Sequence, residues 1–80
     1  MTVTVRLFAS YAEKLGRSEL ELTMPHGSTV ADVVRSVNEL PGGGGLPPAP
    51  LVAVNLSYAP SQTVIENGDE VAIIPPVAGG

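Results

Sequence analysis

The sequence predicts an α+β fold: one main helix packed across a mixed sheet, with an extended C-terminal Gly-Gly tail after the last strand. Three observations predict it. Two early segments alternate apolar and polar residues with period two, a central segment carries one apolar stripe of helical period, and the last alternating segment stops at Pro75-Pro76. Eighty residues, 44% of them hydrophobic but with only one Phe, two Tyr and no Trp, suit one small aliphatic core. We assign residues 1–74 to that domain and 75–80 to the tail.

In Thr2 to Phe8, Val3, Val5 and Leu7 alternate with Thr2, Thr4 and Arg6, which reads as a strand with one buried face and Phe8 on the solvent phase. Ser10 and Glu13 have capping-box spacing, Leu15 lies one turn beyond Tyr11, and Gly16 is placed to end a short helical connector. From Ser18 to Met24, Leu20, Leu22 and Met24 alternate with Glu19, Glu21 and Thr23, giving a second strand antiparallel to the first. Pro25-His26-Gly27 breaks that pattern. Thr29 and Asp32 form a second capping box, and Val30, Val33, Val34, Val37 and Leu40 make one helical stripe opposite Asp32, Arg35, Ser36 and Glu39. Valine favours strands, but helical spacing over a whole segment outweighs that weak preference, and Pro41 ends the helix.

Pro41 to Pro50 holds four glycines and four prolines with little to bury, and reads as a mobile surface loop. Leu51 to Asn55 reads as a short buried strand. Asn67-Gly68 marks a tight turn before a final strand, Glu70 to Ile74, with Val71 and Ile73 inward and Ala72 and Ile74 outward. The order strand, strand, helix, strand, strand is that of the ubiquitin-like β-grasp, whose first and last strands lie side by side. A ferredoxin-like arrangement would need a second full-length helix, which the Gly/Pro segment cannot supply.

Composition excludes several classes of function. Without cysteine there is no disulfide, thiolate metal site or cysteine nucleophile. Four basic against eight acidic residues leave no patch to neutralise phosphates, so nucleic-acid binding is not expected, whereas basic protein partners suit the charge. No apolar run approaches the roughly 18 residues that span a bilayer, and the N-terminus lacks the pattern of a secretory signal, so the expectation is a soluble cytoplasmic protein with no membrane contact. His26 is the only histidine and sits in a Pro-Gly turn, giving no metal set. Asp69 and Glu70 read as turn carboxylates, and Gly42 to Gly45 lack the Gly-Lys-Ser/Thr that completes a phosphate loop. No Ser, His and Asp spacing suggests a triad, and no bound cofactor is expected.

The C-terminus carries the chemistry. Pro75 and Pro76 cannot donate to a sheet ladder, so the final strand ends and the chain continues extended. Val77 and Ala78 are slim, and Gly79 and Gly80 have no Cβ, so this stretch suits insertion into a narrow channel that opens onto the terminal carbon. A carboxylate at neutral pH is a poor electrophile. Joined to AMP by an ATP-consuming partner it becomes a mixed anhydride, and attack by a persulfide or another sulfur donor then leaves a thiocarboxylate on Gly80.

Ala53-Val54-Asn55, Gly68-Asp69-Glu70-Val71-Ala72 and Pro75-Pro76-Val77-Ala78-Gly79-Gly80 together resemble the small, sulfur-carrying subunits of molybdopterin synthase, members of the ubiquitin-like sulfur carrier family. The resemblance extends over the whole chain and is most specific in the last dozen residues. It implies that the Gly80 carboxylate is adenylated by a ubiquitin-activating-like adenylyltransferase, which consumes the ATP, and is then converted to a thiocarboxylate. The large subunit of molybdopterin synthase would receive the tail, in a heterotetramer, and the sulfur would pass to a pyranopterin precursor. The chain would then be a sulfur-donating subunit and not an enzyme alone. Relatives dock both partners through an apolar surface around the tail, which corresponds here to Phe8, Tyr58 and Ile74. Two other readings use the same terminus: a sulfur carrier for thiamine thiazole or cysteine synthesis, and a ubiquitin-like protein modifier, for which Lys14 is the only lysine available for chain building.

Overall fold

Valine alternating with threonine, and leucine with glutamate, place two edge-to-edge strands over one apolar face, and the computed structural model of the protein builds the rest of the domain on them. It describes residues 1–41 and 50–75. The elements are β1 (Thr2–Leu7), α1 (Ala9–Leu15), β2 (Glu19–Thr23), α2 (Val30–Asn38), β3 (Leu51–Val54), β4 (Ser57–Tyr58) and β5 (Glu70–Ile74). The Gly/Pro segment 42–49 and tail residues 76–80, with the expectations placed on them, lie outside the described residues.

The five strands form one sheet in the order β2-β1-β5-β3-β4. β1 pairs antiparallel with β2, Val3 opposite Leu22 and Val5 opposite Leu20, and parallel with β5, Val5 opposite Val71 and Leu7 opposite Ile73. The first and last strands are therefore neighbours, as expected of a β-grasp. β3 completes the mixed sheet antiparallel to β5, with Leu51 opposite Ile74. Since side chains alternate across a sheet, this register sends Val3, Val5, Leu7, Val52, Val71 and Ile73 to one face, where each is almost fully buried.

α2 covers that face with Val30, Val33, Val34 and Val37, all buried. Its N-terminus is closed by bonds that sequence spacing specified in part. The Asp32 amide donates to Thr29 Oγ1 at 3.3 Å, and the Thr29 amide donates to Asp32 Oδ2 at 2.9 Å, completing the expected capping box. The Val30 and Ala31 amides donate to the carbonyls of Thr63 and Ser61, so the segment after β4 is tied to the helix start. This segment has no strand, yet it delivers Ile65 to the core at 1% exposure. The helix ends at Asn38, before Pro41, and Leu40 still packs on the core from the following turn.

Three local expectations are corrected. Ser10 is not a cap: Phe8 occupies the N-cap position of α1 without a side-chain bond, because β1 stops at Leu7 and the helix begins at Ala9. β3 ends at Val54, and Asn55 belongs to a turn that leads into β4, a two-residue strand too short to show a period. Leu51 is 49% exposed, because its register with Ile74 puts it on the face away from α2. Asn67-Gly68 turns ahead of β5 as expected, with Gly68 at φ 86°, and the chain that enters the turn is irregular. Among the described residues, no helix is long and apolar enough to cross a membrane.

Candidate functional site

The sheet face away from α2 divides by composition. Its β1–β2 half carries Thr2, Thr4, Arg6, Glu19, Glu21 and Thr23, and its β5–β3–β4 half carries Ala72, Ile74, Leu51, Ala53 and Tyr58. Phe8 lies one residue beyond the Leu7–Ile73 pair, which puts it beside Ile74 on the same face. Phe8, Ile74 and Leu51 thus form a row across three strands at the end where β5 stops, and Tyr58 stands opposite Ala53 in the next row. The three interface residues expected from sequence are gathered on one face, and Leu51 joins them.

Their exposures differ for a geometric reason. Phe8 is 43% and Tyr58 72% exposed, each at a border of the patch, whereas Ile74 is half-buried between Phe8 and Leu51. Contiguous exposed apolar side chains on a small domain mark a contact surface. Leu51 escaped sequence reading because a four-residue apolar run has no polar alternation to show which face each residue takes.

A hydrogen-bonded clamp sets where β5 begins. The Asn55 side-chain amide donates to Asp69 Oδ1 at 2.9 Å, and Asn55 Oδ1 accepts from the Glu70 amide at 3.0 Å. Asp69 Oδ2 accepts from the Glu66 amide at 2.8 Å, and the Asn55 amide donates to the Glu70 carbonyl at 2.8 Å. Asp69 is therefore a turn residue. Glu70 faces Arg6 across the parallel pair at 3.6 Å, an exposed contact worth little by itself. With both ends of its first residue held, β5 has a fixed register and delivers Ile74 and then Pro75, half-buried and outside the ladder, to the patch.

Pro75 is the only tail residue among those described; Pro76, Val77, Ala78, Gly79 and Gly80 lie outside them. His26 is exposed in the turn after β2, and no cluster of three or more His, Asp or Glu side chains suited to a metal ion occurs among the described residues. A groove of about 460 Å³ runs between α2 and β3, lined by Val30, Val34, Asn38, Leu51 and Pro60 among others, and its walls hold no nucleophile beside a base. Among the described residues, two polar side-chain atoms stand buried without partners: the Tyr11 hydroxyl, whose pKa burial pushes up, and Asn38 Oδ1 in the wall of that groove. What the site offers is an apolar surface at the foot of the C-terminal residues.

Known proteins resemble this chain over most or all of its length. The model of the ThiS family matches residues 5–80. The molybdopterin synthase sulfur carrier subunit of Arabidopsis thaliana is 34% identical over 79 residues, covering 98% of this chain and 82% of that protein. The crystal structure of SAMP1, a small archaeal modifier protein, from Haloferax volcanii superposes with a TM-score of 0.85 at 26% identity, over all of both chains. A chain of the complex of subunits 1 and 2 of molybdopterin-converting factor from Helicobacter pylori gives a TM-score of 0.72 over all of both chains at 21% identity, a likeness of fold.

Proposed function

This chain belongs to the ThiS family, and we propose that within it the protein is the small, sulfur-carrying subunit of a molybdopterin synthase. The observation that carries the reading is positional. The patch of Phe8, Ile74, Leu51 and Tyr58 lies where β5 gives way to the six residues that end in Gly79-Gly80. Six residues span at most ~20 Å, so a protein that grips the patch has the terminal carboxylate within reach of its own active site. The body supplies the affinity and the terminus supplies the reacting group.

The chemistry follows from the weakness of a carboxylate as an electrophile. An activating adenylyltransferase joins the Gly80 carboxylate to AMP, releasing pyrophosphate from ATP. A sulfur nucleophile then adds to the acyl carbon and AMP leaves, which puts a thiocarboxylate on Gly80. When the donor is a persulfide, a second thiol of the donor protein reduces the S–S bond of the adduct, forming a disulfide there and freeing the thiocarboxylate. Pro75 to Gly79 thread the partner's channel, and the thiocarboxylate sulfur attacks a carbon of a pyranopterin precursor held by the large subunit, with loss of an oxygen substituent from that carbon. Hydrolysis of the resulting thioester leaves the sulfur on the precursor and returns Gly80 as a carboxylate. This chain binds no cofactor and uses ATP only through its partner. It works in the cytoplasm, where ATP and both partners are at hand.

The 34% identity to the Arabidopsis thaliana subunit supports the choice of pathway, since this likeness covers nearly the whole chain. The likeness to SAMP1 favours a second reading, a protein modifier whose Gly80 forms an isopeptide bond with a target lysine. Two experiments separate them. Pull-down with a molybdopterin synthase large subunit recovers a stable complex under the first reading, and its failure with every such subunit refutes that reading. Denaturing electrophoresis of cell extract shows a single band for the carrier and a ladder of covalent adducts for the modifier.

A further inference from the structure

Leu56 stands where the fold gains nothing from a leucine. β3 and β4 are joined by the two-residue turn Asn55-Leu56, across which Val54 pairs with Ser57. Both turn residues take positive φ, 49° at Asn55 and 72° at Leu56. Asparagine tolerates that conformation and the second place is usually glycine, because a Cβ there crowds the backbone. The Leu56 side chain recovers none of this cost by packing, since it is 90% exposed, the most exposed of the large apolar residues described. Backbone strain and an apolar side chain held fully in water are independent penalties; a partner that covers Leu56 removes the second, and the area it buries offsets the first.

The surroundings indicate what covers it. Two residues on, Tyr58 begins the apolar patch, so Leu56 extends that patch beyond the sheet. The Asn55 side chain ties the same turn to Asp69 and Glu70, and the Glu66 backbone amide joins them by donating a hydrogen bond to the Asp69 carboxylate. Glu66 and Asp69 make no ion pair among the described residues, so the rim of this tip is acidic. We propose that Leu56 is a docking knob: it enters an apolar pocket with a basic rim on the large-subunit partner. The tip then contacts that partner at the far end of the patch from Pro75. This inference rests on the carrier reading, and a two-point grip at opposite ends of the patch fixes the direction in which the C-terminal residues approach.

The test compares wild type with Leu56→Asn and Leu56→Met for thermal midpoint and for affinity to the large subunit. Asparagine accepts positive φ without glycine's extra unfolded-state freedom, so Leu56→Asn should melt at or above the wild-type midpoint. It should bind the large subunit about tenfold more weakly, the effect of withdrawing one buried leucine from an interface. Leu56→Met keeps an apolar side chain of similar volume and should retain wild-type affinity. A lower midpoint for Leu56→Asn, or affinity equal to wild type, overturns the inference. If wild type does not bind a large subunit at all, the carrier reading itself fails, a result distinct from either.

Discussion

Thr29 closes α2 with two groups at once, its hydroxyl on the Asp32 amide and its own amide on the Asp32 carboxylate. Replacing it by alanine removes the hydroxyl and should cost about 1 kcal/mol, read as a lower midpoint in urea. The reciprocal bond, chiefly the one from the Thr29 amide, holds the Asp32 carboxyl below its ordinary pKa, with the Thr29 hydroxyl and Arg35 adding to it. A carboxyl with a depressed folded-state pKa stabilises the fold above its unfolded-state pKa and loses that contribution as pH falls through the folded value. Wild type should therefore lose a stability increment below the ordinary aspartate range that Asp32→Asn lacks, checked by urea unfolding at a series of acidic pH values. Tyr11 poses the opposite case. Its hydroxyl is buried without a partner among the described residues, so Tyr11→Phe should leave stability unchanged or raise it by about 1 kcal/mol in the same assay. The cap was legible because its two residues lie three apart in sequence. The stranded hydroxyl was not, since hydrogen-bond satisfaction depends on neighbours that only the folded chain assembles.

Among the elements, β5 depends most on a contact far away in sequence. Asn55 reaches Asp69 and Glu70 across 14 and 15 residues, and Asn55→Ala removes both side-chain bonds. The clamp is exposed, so the expected loss is about 1–2 kcal/mol, with amide exchange rising first at Glu70 and Val71. Periodicity disclosed β1, β2, α2 and β5 because each turns one regular face to the core. It did not disclose β4, whose two residues hold no period, or Ile65, which is buried from irregular chain tied to α2 through the Thr63 and Ser61 carbonyls. The Ser10 cap failed for a local reason: Ala9 takes φ 48° directly after Phe8, which turns the chain into α1 one residue before the serine could cap it. The patch was half legible. Phe8 and Ile74 stood on outward phases of alternating strands, whereas the exposure of Leu51 required the β3–β5 register.

At the scale of the molecule, the sheet separates two tasks. One face binds α2 and holds the domain together; the other gathers Phe8, Ile74, Leu51 and Tyr58 beside the last strand. Because Phe8 is 43% exposed, Phe8→Ser should cost little stability yet weaken binding to the large subunit by about tenfold, measured by titration calorimetry. An unchanged affinity would remove the patch from the docking surface. The central claim is that this body presents Gly80 as a reactive handle. Intact mass spectrometry of the chain after incubation with ATP, an activating adenylyltransferase and sulfide tests it most directly. The account predicts a mass gain equal to replacement of one oxygen by sulfur, confined to Gly80. An unchanged mass with an enzyme proven active on its own carrier, or sulfur found at any other residue, would contradict it.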